Sequence, residues 1–215
     1  CILFGDGAGA FVLQASQEPG GMLSSYLRSD GSGAELLMVP GGGSRNPASL
    51  DTVQQGKHFI QMNGREVFRF ATRVMSRATK EVIERSKLGI NDISLVVPHQ
   101  ANIRIIEAAA KGLKLPKERF VINIGRYGNT STASIPIAVS EAFEDGRLQA
   151  GDHIVLVGFG AGLTWGAVAL TWTGPLPERE EIDIRRYQLM GRIRGFVMRW
   201  IRRIEGVMHR WMRRY

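Results

Sequence analysis

At 215 residues, 44% hydrophobic and 22% charged, the chain has the composition of an ordinary globular protein, long enough for one large domain or two small ones. Disorder and collagen are excluded, no run of about 18 apolar residues offers a membrane-spanning helix, and no signal peptide is visible, so the sequence reads as cytoplasmic. The formal charge of +8 is uneven: from Gly174 to Tyr215 eleven Arg and no Lys stand against five acids, whereas the residues before Gly174 are nearly neutral.

A single cysteine, Cys1, rules out an internal disulfide and a cysteine-based zinc site, and four scattered histidines do not restore the case for a metal. The first fourteen residues are apolar on either side of Gly5-Asp-Gly-Ala-Gly9, which suits a buried strand with close backbone approach. A chain that opens inside such an element is expected to be a fragment or one half of a split protein. Residues 22 to 39 read as a strand pair around Asp30-Gly31-Ser32-Gly33, and Pro40 to Pro47 as a glycine-rich loop.

From Asn63 to Lys87 the pattern turns helical. Val67, Phe70, Ala71, Val74, Ala78, Val82 and Ile83 recur at three- and four-residue steps, Arg65, Arg69, Arg73 and Arg77 form a line along it, and Gly89 ends it. Ile93 to Pro98 reads as a strand, Asn102 to Leu113 as a helix capped by Asn102, and Phe120 to Ile124 as a strand. Ser131 to Phe143 reads as a helix with Pro136 tolerable near its start, stopped by Asp145-Gly146. His153 to Gly158 and Thr164 to Trp172 complete the set as strands, and the alternation predicts an α/β arrangement with a mostly buried sheet.

Gly5-Asp-Gly-Ala-Gly9 and Gly158-Phe-Gly-Ala-Gly162 are not dinucleotide fingerprints, because the final glycine is absent and strand residues follow where a helix must start. Such glycines either present backbone N–H groups to a ligand or simply pack tightly. His99 follows a predicted strand in Val97-Pro-His-Gln-Ala-Asn102, at the sheet edge where α/β proteins gather ligands, although a lone histidine is more often structural. Tyr127-Gly-Asn-Thr-Ser-Thr-Ala-Ser134 lies at the same edge, and its ordinary alternative is a helix-capping cluster.

Taken in order, five motifs resemble the β-ketoacyl-acyl carrier protein synthase III family, condensing enzymes of the thiolase-like α/β fold. They are Leu3-Phe-Gly-Asp-Gly-Ala-Gly-Ala10, Gly64-Arg-Glu-Val-Phe-Arg-Phe-Ala71, Val97-Pro-His-Gln-Ala-Asn102, Asn123-Ile-Gly-Arg-Tyr-Gly-Asn-Thr-Ser131 and Gly158-Phe-Gly-Ala-Gly-Leu-Thr-Trp-Gly166. The likeness covers nearly all of residues 1 to 173. It implies decarboxylative condensation of an acyl-CoA with malonyl-acyl carrier protein in fatty acid biosynthesis, without a cofactor or metal. It also implies that His99 and Asn129 belong to a Cys-His-Asn catalytic set and that the Gly160, Ala161 and Gly162 loop helps to bind an oxyanion. Alanine at 161, where the family often has glycine, requires a negative φ. Gly64 and Asn102 match pantetheine contacts, and Arg69 and Arg104 match basic positions that receive acyl carrier protein. Arg65 replaces a frequent Asn and is grouped with those arginines, although a line of arginines also suits a solvated helix face.

In this family the nucleophilic cysteine lies well upstream of the Gly-Asp-Gly-Ala-Gly motif, so Cys1 is not that residue. The resemblance therefore implies an absent N-terminal half carrying the cysteine, and a homodimer in the complete enzyme. The alternative is a non-catalytic subunit or scaffold that binds carrier protein beside a complete synthase. Nucleic acid is not an expected partner. The divisions expected are 1–60, the end of the N-terminal half and linking region; 61–173, the C-terminal thiolase-like half; 174–186, a linker; and 187–215, a basic amphipathic helix. Met190, Ile193, Val197, Trp200, Ile204, Val207 and Trp211 form the apolar seam of that helix, which suits an anionic membrane surface or a helical partner, against a solvated appendage or an out-of-frame translation.

Overall fold

A computed structural model describes residues 3–17 and 19–174, together with positions 190, 193, 194, 196, 197 and 200. The chain divides into two compact units, residues 1–174 and 175–215. In the second, the six described positions are helical, and Met190, Ile193, Phe196, Val197 and Trp200 are exposed. Ile204, Val207 and Trp211 of the expected seam, and most of the expected linker, lie outside the described residues.

The first unit runs β1 (Gly21–Ser29), β2 (Leu37–Met38), α1 (Leu50–Gln54), β3 (Gln61–Met62), α2 (Gly64–Arg85), β4 (Ile93–Pro98), α3 (Ile103–Leu113), α4 (Ile124–Tyr127), α5 (Ser134–Glu144), β5 (His153–Gly160) and β6 (Thr164–Thr171). Four strands form one sheet in the order β1-β6-β5-β4, with β4 parallel to β5 and the other neighbours antiparallel. The short strands β2 and β3 pair separately.

Side chains alternate across a strand, and that alternation builds two cores. Val96, Val155, Val157, Ala167 and Ala169 face α2 and α3, together with Met75, Ala78, Val82, Ile106 and Ala109. Leu95, Val97 and Ile154 face the opposite way, against Ala138, Val139 and Ala142 of α5. A register shift between Ile93 and Leu95 lets Ile93 join the first core although Leu95 belongs to the second. The sheet is therefore a filling between helices, with its β4 and β5 carboxyl ends open to loops from both layers.

All seven expected core positions of α2 are buried, and Asn63 caps the helix by accepting the Glu66 N–H. Lys87 rather than Gly89 takes the left-handed backbone after the helix, with φ 61°. α3 begins as expected, Asn102 accepting the Arg104 N–H at 2.9 Å. Pro136 is the third residue of α5, inside the first turn, where its missing N–H costs no helical bond.

Three expectations differ. Residues 3–14 form no strand and are mostly exposed, with Val12 and Leu13 each 91% accessible; their strand-like pairing among the described residues is one isolated bridge from Phe4 to Asn129, outside both sheets. The glycines here do allow close approach: a Cβ on Gly5 would collide with the Tyr127 carbonyl oxygen, and one on Gly9 would stand 2.5 Å from Pro136. Residues 22–39 make no hairpin, because Asp30 accepts the N–H and hydroxyl of Ser32 and starts a tight helical turn over Gly31–Leu36, leaving β1 to pair with β6. Phe120 to Ile124 is not a strand beyond one bridge to Val96, since the side-chain oxygen of Gln100 accepts the N–H groups of Asn123 and Ile124 and turns the chain into α4.

Candidate active site at the β4 and β5 carboxyl ends

His99 is the first residue beyond β4, and its backbone N–H donates to Val157 of β5 at 2.8 Å. The imidazole is half-buried, edge-on to Phe159 with ring centroids 5.6 Å apart, and its Nδ1 lies 2.7 Å from the Ser134 hydroxyl. Burial holds the ring below the ordinary histidine pKa of 6.5, because a cation is poorly solvated there. At neutral pH the ring is thus neutral, with one N–H donor. Its Nε2 has no hydrogen-bond partner among the described residues.

Gln100 explains why this corner is rigid. Fully buried, its amide donates to the carbonyls of Pro98 and Val121 and accepts from Asn123 and Ile124, so it uses its complete bonding capacity to join β4 to the next loop. Glu141 of α5 holds the same loop from the other side, accepting from Asn123 Nδ2, Arg126 and the Tyr127 hydroxyl. Burial pushes the Glu141 carboxyl up, but the bonds from Tyr127 and Asn123 and the charge of Arg126 outweigh it and lower its pKa. The hydrogen bond to Glu141 raises the Tyr127 pKa. The sequence reading missed both Gln100 and Glu141; a glutamine two residues past the apolar strand β4 was the available signal for the first.

Asn129 sits on this braced loop. Its Oδ1 accepts the Ser131 N–H at 2.9 Å, and its backbone carbonyl accepts the Gly5 N–H at 2.8 Å. With Oδ1 engaged, the side chain's remaining function is as a donor, and Nδ2 has no partner among the described residues. Ser131 takes φ 55°, which bends the loop sharply enough for that bond. The expected capping cluster therefore does other work: α5 has no side-chain cap, Asn129 closes a local turn, and Ser134 reaches His99.

The Gly160, Ala161 and Gly162 stretch ends β5 and turns into β6, with Gly160 opposite Thr164. Gly162 has φ 129°, which a side chain would strain, whereas Ala161 is not among the described positive-φ residues, so alanine fits there. The turn also ties back to Asp30, which exchanges two backbone hydrogen bonds with Leu163.

The remaining expected site residues are exposed. Gly64 opens α2 and Arg65 follows it; Arg69 pairs with Glu66 at 2.9 Å. Asn102 spends Oδ1 on its cap and keeps Nδ2, while Arg104, the second residue of α3, has no carboxylate partner among the described residues. Among those residues, no helix is long and apolar enough to cross a membrane.

Comparison with known proteins matches these elements to one family. Two models of 3-oxoacyl-[acyl carrier protein] synthase III match, one at residues 1–31 and its C-terminal counterpart at residues 83–172. The β-ketoacyl-[acyl carrier protein] synthase III of Symbiobacterium thermophilum is 57% identical over 172 residues, 80% of this chain and 52% of that protein. The solved synthase III of Thermus thermophilus is 50% identical with a TM-score of 0.65, covering 74% of this chain and 48% of its own, and that of Pseudomonas aeruginosa PAO1 is 41% identical with a TM-score of 0.66, covering 77% and 48%. The chain spans about half the length of the curated relatives it matches. By motifs, fold and relatives together, the chain belongs to the β-ketoacyl-acyl carrier protein synthase III family of thiolase-like condensing enzymes, of which it represents the C-terminal part.

Proposed function

We propose that this chain contributes His99, Asn129 and the Gly160–Gly162 turn to a site for decarboxylative condensation, completed by a cysteine outside the chain. The observation that carries the reading is a pair of side-chain nitrogens without partners among the described residues, one on each of two braced loops: Nε2 of His99, a donor when it carries the ring proton, and Nδ2 of Asn129. When a malonyl thioester breaks its bond to the carboxylate, CO2 leaves and the electron pair moves onto the thioester oxygen. Two fixed N–H donors favour that charge more than the neutral ground state, which is the requirement for catalysis. The carbanion then attacks the carbonyl of an acyl group on the cysteine; the C–C bond forms, the C–S bond breaks, and the thiolate leaves. The backbone of the Gly160, Ala161 and Gly162 turn would help to receive the oxyanion of this second step. A neutral His99 suits the first step, since it donates without competing for a proton.

In this reading the substrates are acyl-CoA and malonyl-acyl carrier protein, and no cofactor or metal takes part. Gly64 and Asn102 contact the pantetheine arm, and Arg65, Arg69 and Arg104 draw in the acidic carrier protein, with an on-rate that falls as salt rises. The enzyme works in the cytoplasm as a homodimer once the cysteine-bearing half is supplied. The 187–215 segment lies beyond the family match and engages an anionic membrane surface or a helical partner.

The test is reconstitution. The chain is purified gently from its source, its intact mass is compared with 23.8 kDa, and condensation is assayed with the cysteine-bearing half present. His99→Ala should lower turnover by about 10²-fold or more, as removal of one oxyanion donor does elsewhere. Unchanged condensation with that variant would mean that the chain is a carrier-protein-binding scaffold.

A further inference from the structure

Ser134 is 2% exposed, opens α5, and touches His99 from the side opposite the uncommitted Nε2. Its hydroxyl oxygen receives the backbone N–H of Gln100 at 3.3 Å and lies 2.7 Å from Nδ1 of His99. The Gln100 N–H can only donate, so the oxygen acts there as acceptor. The hydroxyl proton then needs an acceptor of its own, and Nδ1 is the one within reach among the described residues. If Nδ1 carried the ring proton, two N–H groups would converge on one oxygen and the O–H would be left unsatisfied in a buried place, a costly arrangement. One arrangement satisfies every group: Ser134 O–H donating to Nδ1, and the ring proton on Nε2.

We propose that Ser134 is a positioning residue that fixes His99 in its Nε2–H tautomer, so that the ring presents a donor and not a lone pair to the thioester oxygen. The inference rests on the reading of His99 as that donor. Both ends of the contact are anchored: the His99 backbone to Val157, and the Ser134 oxygen to Gln100, whose amide is itself held by four bonds. Burial disfavours an imidazolium here. A ring that stays neutral depends wholly on its tautomer for which nitrogen donates, and this gives a single hydroxyl its leverage.

Ring nitrogen NMR of the full 215-residue chain tests this directly, with the His99 signals identified by their loss in His99→Gln. The expected wild-type spectrum shows the Nε2–H tautomer, Ser134→Ala shifts the ratio toward Nδ1–H by about tenfold, and Ser134→Thr, which keeps a hydroxyl, restores it. A wild-type ring protonated on Nδ1 would overturn the proposal even if Ser134→Ala did not fold, and so would an unchanged ratio in a folded Ser134→Ala. In the reconstituted enzyme, Ser134→Ala is expected to lower kcat about tenfold with little change in KM for malonyl carrier protein. A tautomer that shifts without any loss of kcat would uphold the role of Ser134 and overturn the reading of His99 as the donor.

Discussion

Residues 3–14 and the β5 strand look alike as sequence and differ in structure. Both mix large apolar side chains with closely spaced glycines, yet Ile154, Val155 and Val157 of β5 are buried between two helical layers, whereas Val12 and Leu13 lie almost fully exposed. Apolar composition states how much burial a segment needs; only the partners on both sides provide it. β5 has β4 and β6 as neighbours and helices on both faces, while residues 3–14 touch the loop of Asn129 and the start of α5 on one side only. Met22 and Leu27 on the outer strand β1 show the same unmet demand at 71% and 72% exposure.

The largest expected effect breaks the buried side of this contrast. Ile106→Ala in α3 removes a fully buried side chain from the larger core and should cost about 2–5 kcal/mol, read by urea unfolding. A cost below about 1 kcal/mol would mean that the helix α2, helix α3 and sheet interface is not the stabilising core. Gly5→Ala acts on the other side. Its Cβ would collide with the Tyr127 carbonyl, so the N-terminal segment should come away from the Asn129 loop, with loss of hydrogen-exchange protection at the Gly5 amide and little change in global stability.

How far the sequence reveals the structure follows from the same distinction. α2, α3 and β4 are legible because three- and four-residue periodicity, an Asn cap and a run of β-branched residues are local signals, and local contacts satisfy them. The Phe120 to Ile124 segment is not, because a buried Gln100 side chain more than twenty residues away takes the N–H groups that a sheet would have used. β1 is legible as a strand but not its partner, since β6 lies about 140 residues further on. At the site, His99 and Asn129 emerge from ordered motifs rather than from any single one of them. Ser134 closes a cluster whose ordinary alternative is helix capping; that it serves a histidine depends on β4 ending opposite the start of α5, which no local pattern encodes.

Protonation sharpens the comparison from within the site. The His99 pKa is lowered in the folded chain and ordinary in the unfolded one, so acid charges the unfolded state first. Stability from this group is therefore fully present above about pH 6.5, the ordinary histidine value, and falls as the pH drops below it. Unfolding measured between pH 8 and 5 should show this loss, and His99→Gln should flatten that part of the profile. An unchanged slope in the variant would show that the ring is well solvated.

The smallest effect is the most informative about the exposed segment. In the chain alone, Leu13→Ser should change stability by no more than about 0.5 kcal/mol, because 91% of that side chain already meets water. Under the proposed reading, the cysteine-bearing half covers this segment, and the same substitution should then weaken association by about 1–3 kcal/mol, the range expected for an apolar side chain that becomes buried. Binding of the two halves by titration calorimetry separates the cases. A variant that is silent in isolation and costly in the complex shows that the apolarity of residues 3–14 is interface; a variant silent in both shows that the segment stays in solvent and that β1, with Met22 and Leu27, is the face to examine.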